Sequence, residues 1–286
     1  MKSFKLNSLE RFVIRRKKVL FICLYIAFFI SVIIFSHLKG IVTVPTDTFV
    51  LALPTIVIFL YIEFLPIFKN AKITNAYRNL DIDLLLDGAI KLADASNPKD
   101  LEFSPTFHNN KATYLIESGR LNEAEKELEL IFQNFDAKKL SSTVLFDIHV
   151  NYALIKIQSG DENAFREQLK IIEGYYDKIK RKASMYISKD TLNSLYLTAE
   201  AHFNPYSENF EQRVLDDIKF FGDKEKKKID PCDYFFGYSL LFTYFARFEN
   251  TEKAVYYANE IVKIGNDSFY EYRKAKEYLE NANKCN

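Results

Sequence analysis

Residues able to do acid–base, nucleophilic or metal chemistry are few in this chain and poorly grouped. Its four histidines, His37, His108, His149 and His202, stand far apart, and the last three fall on or beside apolar helical stripes. They read as packing residues. Cys23, Cys232 and Cys285 form no CxxC or comparable spacing, so neither a disulfide framework nor a zinc site is expected. Few cysteines also fit a reducing compartment. Asp230, Pro231, Cys232 and Asp233 make a compact polar group that invites a catalytic-cysteine reading. No histidine is positioned to activate the thiol, and Pro with Asp at that place reads as the start of a helix. Nucleophile elbows and phosphate-binding loops are missing from the sequence as well. The expectation is a protein with no catalytic residue, no cofactor and no metal.

Charge is divided between two unlike parts. Residues 1–70 hold nine Lys/Arg against three acids, a net of +6, and the remainder carries a net of −5. An acidic second part argues against a nucleic-acid groove, which needs clustered Lys/Arg to neutralise phosphates. The basic run Lys224 to Lys228 reads as a solvated loop between helices rather than a contact with anionic lipid. Abundant Lys, Asn, Ile, Phe and Tyr with no Trp suggests an AT-rich, bacterial coding genome.

The elements that would position these residues begin with two apolar segments. Residues 19–36, VLFICLYIAFFISVIIFS, carry no charge, and as a helix span about 27 Å at ~1.5 Å per residue, close to a bilayer core. A secretory signal would have a shorter apolar region and a small-residue cleavage site, and SHLKG offers none. Residues 49–68 are apolar apart from Thr55 and Glu63, with Pro54 and Pro66 inside the run. A buried core helix is the competing reading there. The short separation from the first segment favours a membrane hairpin, in which Pro54 is better tolerated. Seven Lys/Arg precede the first span, Lys39 alone lies in the loop 37–48, and Lys69, Lys72 and Arg78 follow the second. Both termini are therefore expected to be cytoplasmic, in a multi-pass protein of the cell membrane with residues 1–18 as a basic cytosolic segment. Glu63 is by default a functional intramembrane carboxylate. Its place six residues before Lys69 allows the plainer reading of a side chain reaching the interface.

From about Ile73 to the C-terminus the apolar residues recur at helical spacing, and no period-two stretch suggests a sheet, so the class is all-α. Leu121, Ala124, Leu128, Ile131 and Phe135 trace one stripe, and Phe165, Leu169, Ile172, Tyr176 and Ile179 another. A third runs through Leu192, Leu195 and Ala199 and closes with His202 and Phe203.

The segment 108–135, HNNKATYLIESGRLNEAEKELELIFQNF, resembles a tetratricopeptide repeat: two helices joined at Gly119, with small residues at Ala112 and Ala124 and Ile131 at the late packing position. A similar phrase recurs at 151–176 with Ala153, Gly160 and Ala164, and a third at 241–263, where Ala254 and Ala258 follow the turn RFENTEK. His108 stands where the family places an aromatic residue, and the proline that closes each repeat is missing. The two turn glycines are 41 residues apart where the family period is about 34. The resemblance implies an α-solenoid of about four helix pairs over 73–286, with 191–221 as a degenerate pair. An irregular helical bundle is the alternative.

By that resemblance the inner surface is lined by the first helix of each repeat. It nominates Asn109, Thr113, Asp147, Val150, Leu154, Ser239, Thr243 and Arg247 as partner-binding residues, with a protein or peptide as partner. The expected function is a membrane-anchored interaction scaffold. The alternative is an accessory subunit of a membrane transporter, protease or secretion complex that acts through its transmembrane hairpin.

Overall fold

The computed structural model describes residues 7–39, 56–65, 67–69, 104–179, 185–224 and 231–284, with isolated positions between 84 and 91. Most of the loop 37–48, Pro54, Pro66, Lys72, the boundary at Ile73, Arg78, residues 225–228, Asp230 and Cys285 lie outside the described residues. The described residues are helical with turns between, so the all-α expectation holds. The chain divides into two compact units, one of residues 1–75 with 87–101, the other of 76–86 with 102–286.

In the first unit, α1 (Ser8–Lys39) opens with a reciprocal cap: Glu10 N–H donates to Asn7 Oδ1 at 2.8 Å and Asn7 N–H donates to Glu10 Oε2 at 2.9 Å. The helix kinks at Arg16, whose φ of −108° and ψ of 15° leave the helical region. α2 (residues 56–65) runs antiparallel to α1. Three contacts fix the direction: Glu10 with Lys69 at 2.8 Å, Lys17 with Glu63 at 2.8 Å, and the rings of Phe21 and Phe59 at 4.8 Å. Val13, Ile14, Ile62 and Leu65 are buried between the helices. The outer faces are apolar and exposed, among them Val19, Ile22 and Ile26 on α1 and Val57, Phe59 and Leu60 on α2. Glu63 is thus held by Lys17, two residues before the charge-free run, while Lys69 is held by Glu10. The side chains described in α1 end at Ile30, and among the described residues no helix is long and apolar enough to cross a membrane.

The second unit is a row of helix pairs: α3 (Pro105–Glu117) with α4 (Leu121–Asn134), α5 (Ser142–Gln158) with α6 (Glu162–Ile179), and α9 (Pro231–Arg247) with α10 (Thr251–Ile264). Starts are set by side-chain caps. Ser104 accepts from Phe107 N–H at 3.3 Å, Asp161 from Ala164 N–H at 3.0 Å and Asn250 from Lys253 N–H at 3.2 Å. Stops repeat one geometry in all three pairs. Arg120 N–H reaches back to Leu115 O at 2.8 Å, Asp161 N–H to Lys156 O at 2.9 Å and Asn250 N–H to Phe245 O at 3.0 Å. The residue before each donor is left-handed: Gly119 at φ 72°, Gly160 at φ 75° and Glu249 at φ 56°.

Packing within a pair uses the small residues. Ala112 and Ala124, and in the last pair Ala254 and Ala258, are fully buried where the helices approach closely. The middle pair departs from this: Ala164 is half-buried and Phe165 takes the core position. Successive first helices also touch, α3 on α5, α5 on α7 (Met185–Phe203) and α7 on α9. The third pair is incomplete. α8 (Phe210–Lys224) packs against α9 more than against α7, because Phe210 stacks on Tyr244 at 4.1 Å and the Tyr244 hydroxyl donates to Ser207 O at 3.0 Å. A last helix, α11 (Tyr270–Lys284), packs on α10 and reaches the first pair: Arg273 Nη2 donates to Ser118 O at 2.8 Å, beside Gly119.

Candidate functional site

The inner faces of the first helices enclose a cavity of about 360 Å³, with α11 against it. Each helix contributes from one stripe: Glu117 from the end of α3, Leu154, Ile157 and Gln158 from α5, and Ser194, Leu197, Thr198 and His202 from α7. α8 adds Asp217 and Ile218, α9 adds Asp233, Phe236, Leu240 and Thr243, and α11 adds Glu271. Close packing of the surrounding helices keeps the walls in place. A Cβ on Gly237 would lie 2.3 Å from Ile218 Cδ1, so α8 and α9 meet there without room for a side chain.

The walls are apolar with acids set into them. Burial, and then the charge of Glu271, push the Glu117 carboxyl up to about 8. Burial raises Glu271 too, with Lys274 pulling the other way, and it raises Asp217, which also feels Asp190 and Asp233. His202 moves down to about 4 through burial and then the charges of Lys274 and Arg247, so its imidazole is neutral at physiological pH. Gln158 Oε1 and Glu271 Oε2 are shielded from solvent and accept no hydrogen bond. Among the described residues no group of His, Cys, Asp or Glu is arranged to hold a metal. The arrangement offers acceptors and negative charge along an apolar wall, which suits binding.

The sequence-nominated residues divide into five placements. Leu154, Ser239 and Thr243 line the cavity, Ser239 donating to Phe235 O at 2.8 Å and Thr243 accepting from Lys274 Nζ at 3.3 Å. Asn109 and Thr113 instead join α3 to α5. Asn151 Nδ2 lies 2.9 Å from Asn109 Oδ1 and 3.0 Å from Thr113 Oγ1. Asp147 is exposed, and Val150 is buried between α5, α6 and α7. Arg247 ties α9 to the end of α7 by donating to the carbonyls of Asn204 and Glu200 and lies 4.5 Å over the Phe248 ring. His108 and His149 each make one ring-nitrogen contact outside the cavity, while His108 Nε2 is buried without a hydrogen-bond partner. His108 Nδ1 is 2.8 Å from Glu127 Oε2, and His149 Nδ1 is 2.8 Å from Gln168 Oε1. Cys232 is buried in the core.

Glu117, Gln158, Asp217 and Glu271 are absent from the nominated set. For two of them a signal is present in the sequence. Glu117 and Gln158 each stand two residues before the left-handed turn residue, Gly119 and Gly160, and Arg247 holds the same place before Glu249. At that register Glu117 and Gln158 line the groove, whereas Arg247 is spent on the carbonyls of Glu200 and Asn204. No such signal marks Asp217 or Glu271.

No protein-family model matches the chain, and neither a curated protein nor a solved structure is significantly similar to it.

Proposed function

We propose that this chain is a membrane-anchored binding scaffold whose tetratricopeptide-like helix pairs present the groove to a protein or peptide partner on the cytosolic side. The observation that carries the reading is the cavity along α3, α5, α7 and α9, where apolar walls and two buried acceptors without a hydrogen bond replace the filled core found elsewhere in the unit. The anchor is supported by the charge-free run 19–36, helical throughout, and by the apolar outer faces of α1 and α2. An exposed apolar surface of that extent needs a lipid or protein cover. Tethering raises the concentration of a membrane-proximal partner around the groove.

A photoreactive amino acid at Ser194, on the cavity wall, tests this in native membranes, with one at Glu129, an exposed position of α4, as control. The expected result is one defined adduct from Ser194 and none from Glu129. Adducts of the same partner from Glu129, or none from Ser194, overturn the groove as the docking surface.

A further inference from the structure

The start of α1 carries more positive charge than the acids beside it can pair. Glu10 and Glu63, the acids of α1 and α2, are each engaged, Glu10 with Lys69 at 2.8 Å and Glu63 with Lys17 at 2.8 Å. Arg15, Arg16 and Lys18 are exposed and make no ion pair among the described residues. Like charges this close in the chain repel one another, and an anion brought among them relieves the repulsion. The kink at Arg16 falls inside the cluster, just before the charge-free run begins at Val19.

Beyond the cluster, α1 and α2 leave a groove of about 510 Å³. Phe21, Ile22, Tyr25 and Phe28 of α1 wall it together with Ile56 and Phe59 of α2, and the Tyr25 hydroxyl is the one polar side-chain group in its lining. The groove begins where the charges end. Lys17 Nζ lies 5.7 Å over the Phe21 ring, and Phe21 lies 4.8 Å from Phe59. Lys18, Ile22 and Tyr25 follow at steps of four and three, which puts a charge of the cluster and two groove-lining residues on one face of α1. From Phe21 to Phe28 the groove follows the helix for about 10 Å. A soluble anion would leave these apolar walls uncovered, and a zwitterionic lipid would bring no net charge to the cluster. An amphiphile with an anionic head and a hydrocarbon tail answers both.

Resting on the reading of α1 and α2 as a membrane-inserted pair, we propose that this unit binds one anionic phospholipid, its phosphate held by Arg15, Arg16 and Lys18 and an acyl chain lying in the groove. Guanidinium groups suit the first task because their fork of N–H donors pairs bidentately with phosphate oxygens. Basic residues on the cytosolic side of an apolar span also meet the anionic headgroups of that leaflet. Anchoring alone needs only hydrocarbon around the helices. This site adds a choice of headgroup charge.

Native mass spectrometry of the full chain released from detergent micelles tests this, with phosphatidylglycerol or phosphatidylcholine added at equal concentration. One phosphatidylglycerol retained per chain is expected, with phosphatidylcholine retained at least tenfold less. Arg16→Gln with Lys18→Gln should cut retention at least tenfold. The same loss of charge at exposed positions of α4 and α6, Lys126→Gln with Lys170→Gln, should change nothing. Ile22→Trp alters an exposed position, fills the groove and keeps every cation, and it should also block retention. Equal retention of the two lipids, retention of neither, or unchanged retention in either site variant overturns the inference. Alkaline carbonate extraction of the same protein keeps the anchor separate. A chain that stays in the pellet but shows no headgroup preference overturns this site and leaves the anchor standing, and a chain that is released yet retains phosphatidylglycerol does the reverse.

Discussion

Arg273 and Ser118, 155 residues apart in the chain, are joined by a guanidinium-to-carbonyl hydrogen bond of 2.8 Å. The bond fastens the last helix to the turn of the first pair, and Tyr270 packs beside it on Gly119. Row and closing helix together enclose the groove.

That clasp separates two glycines with the same backbone conformation. Gly119 and Gly160 are both left-handed, but a Cβ on Gly119 would come within 2.8 Å of Tyr270 Cδ2, whereas one on Gly160 meets nothing within 4 Å. Gly160→Ala should cost about 1 kcal/mol through its φ alone. Gly119→Ala should cost about 2–3 kcal/mol through φ and overpacking. Thermal unfolding followed by circular dichroism checks the difference, and Tyr270→Ala should reduce it.

Glu249 occupies the turn position that is glycine in the other two pairs, at φ 56°. Glu249→Gly relieves left-handed strain and loosens the unfolded chain, two effects of opposite sign. A net stabilisation of about 0.5–1 kcal/mol is expected. A lower melting temperature in the variant would refute strain at this turn.

Glu117 makes stability depend on pH. Its folded-state value of about 8 lies above the ordinary 4.5, so the native state holds a proton that the unfolded state has released. The contribution is fully present below about pH 4.5 and is lost as pH rises through about 8. Glu117→Gln should therefore stabilise the protein by several kcal/mol at pH 9, up to about 5, and by less than about 1 kcal/mol at pH 5. Melting temperatures of both proteins across that range decide it, and a gap that does not widen with pH sinks the assignment.

Asn151 bridges two helices with a buried amide that contacts Asn109 and Thr113. Asn151→Ala leaves Asn109 Oδ1 without this donor and should cost about 1–3 kcal/mol. Asp147→Ala, one α5 turn earlier and exposed, should change stability by less than about 0.5 kcal/mol. Equal losses in urea unfolding would contradict the assigned roles.

The anchor predicts fractionation. Two inserted apolar helices keep a protein in the membrane pellet after alkaline carbonate washing. Reporters at residues 2 and 286 should be cytosolic, and a cysteine placed at Lys39 should be labelled from outside. Release into the supernatant refutes insertion, and reversed labelling refutes the orientation.

The sequence by itself determined the helical class, the first and last helix pairs and their small-residue contacts, because these depend on spacing within one or two turns of chain. Leu121, Ala124, Leu128 and Ile131 sit on one stripe wherever the helix is placed, and three of them are fully buried. The turns at Gly119 and Gly160 were legible for the same local reason. Tertiary structure alone decided that Asn109 meets Asn151, that Phe210 draws α8 onto α9, and that Glu271 faces the same cavity as Glu117. Those pairings depend on how successive helices pack along the whole row. Stacking of one pair on the next brings α11 to the turn of the first pair, and no local pattern encodes that contact.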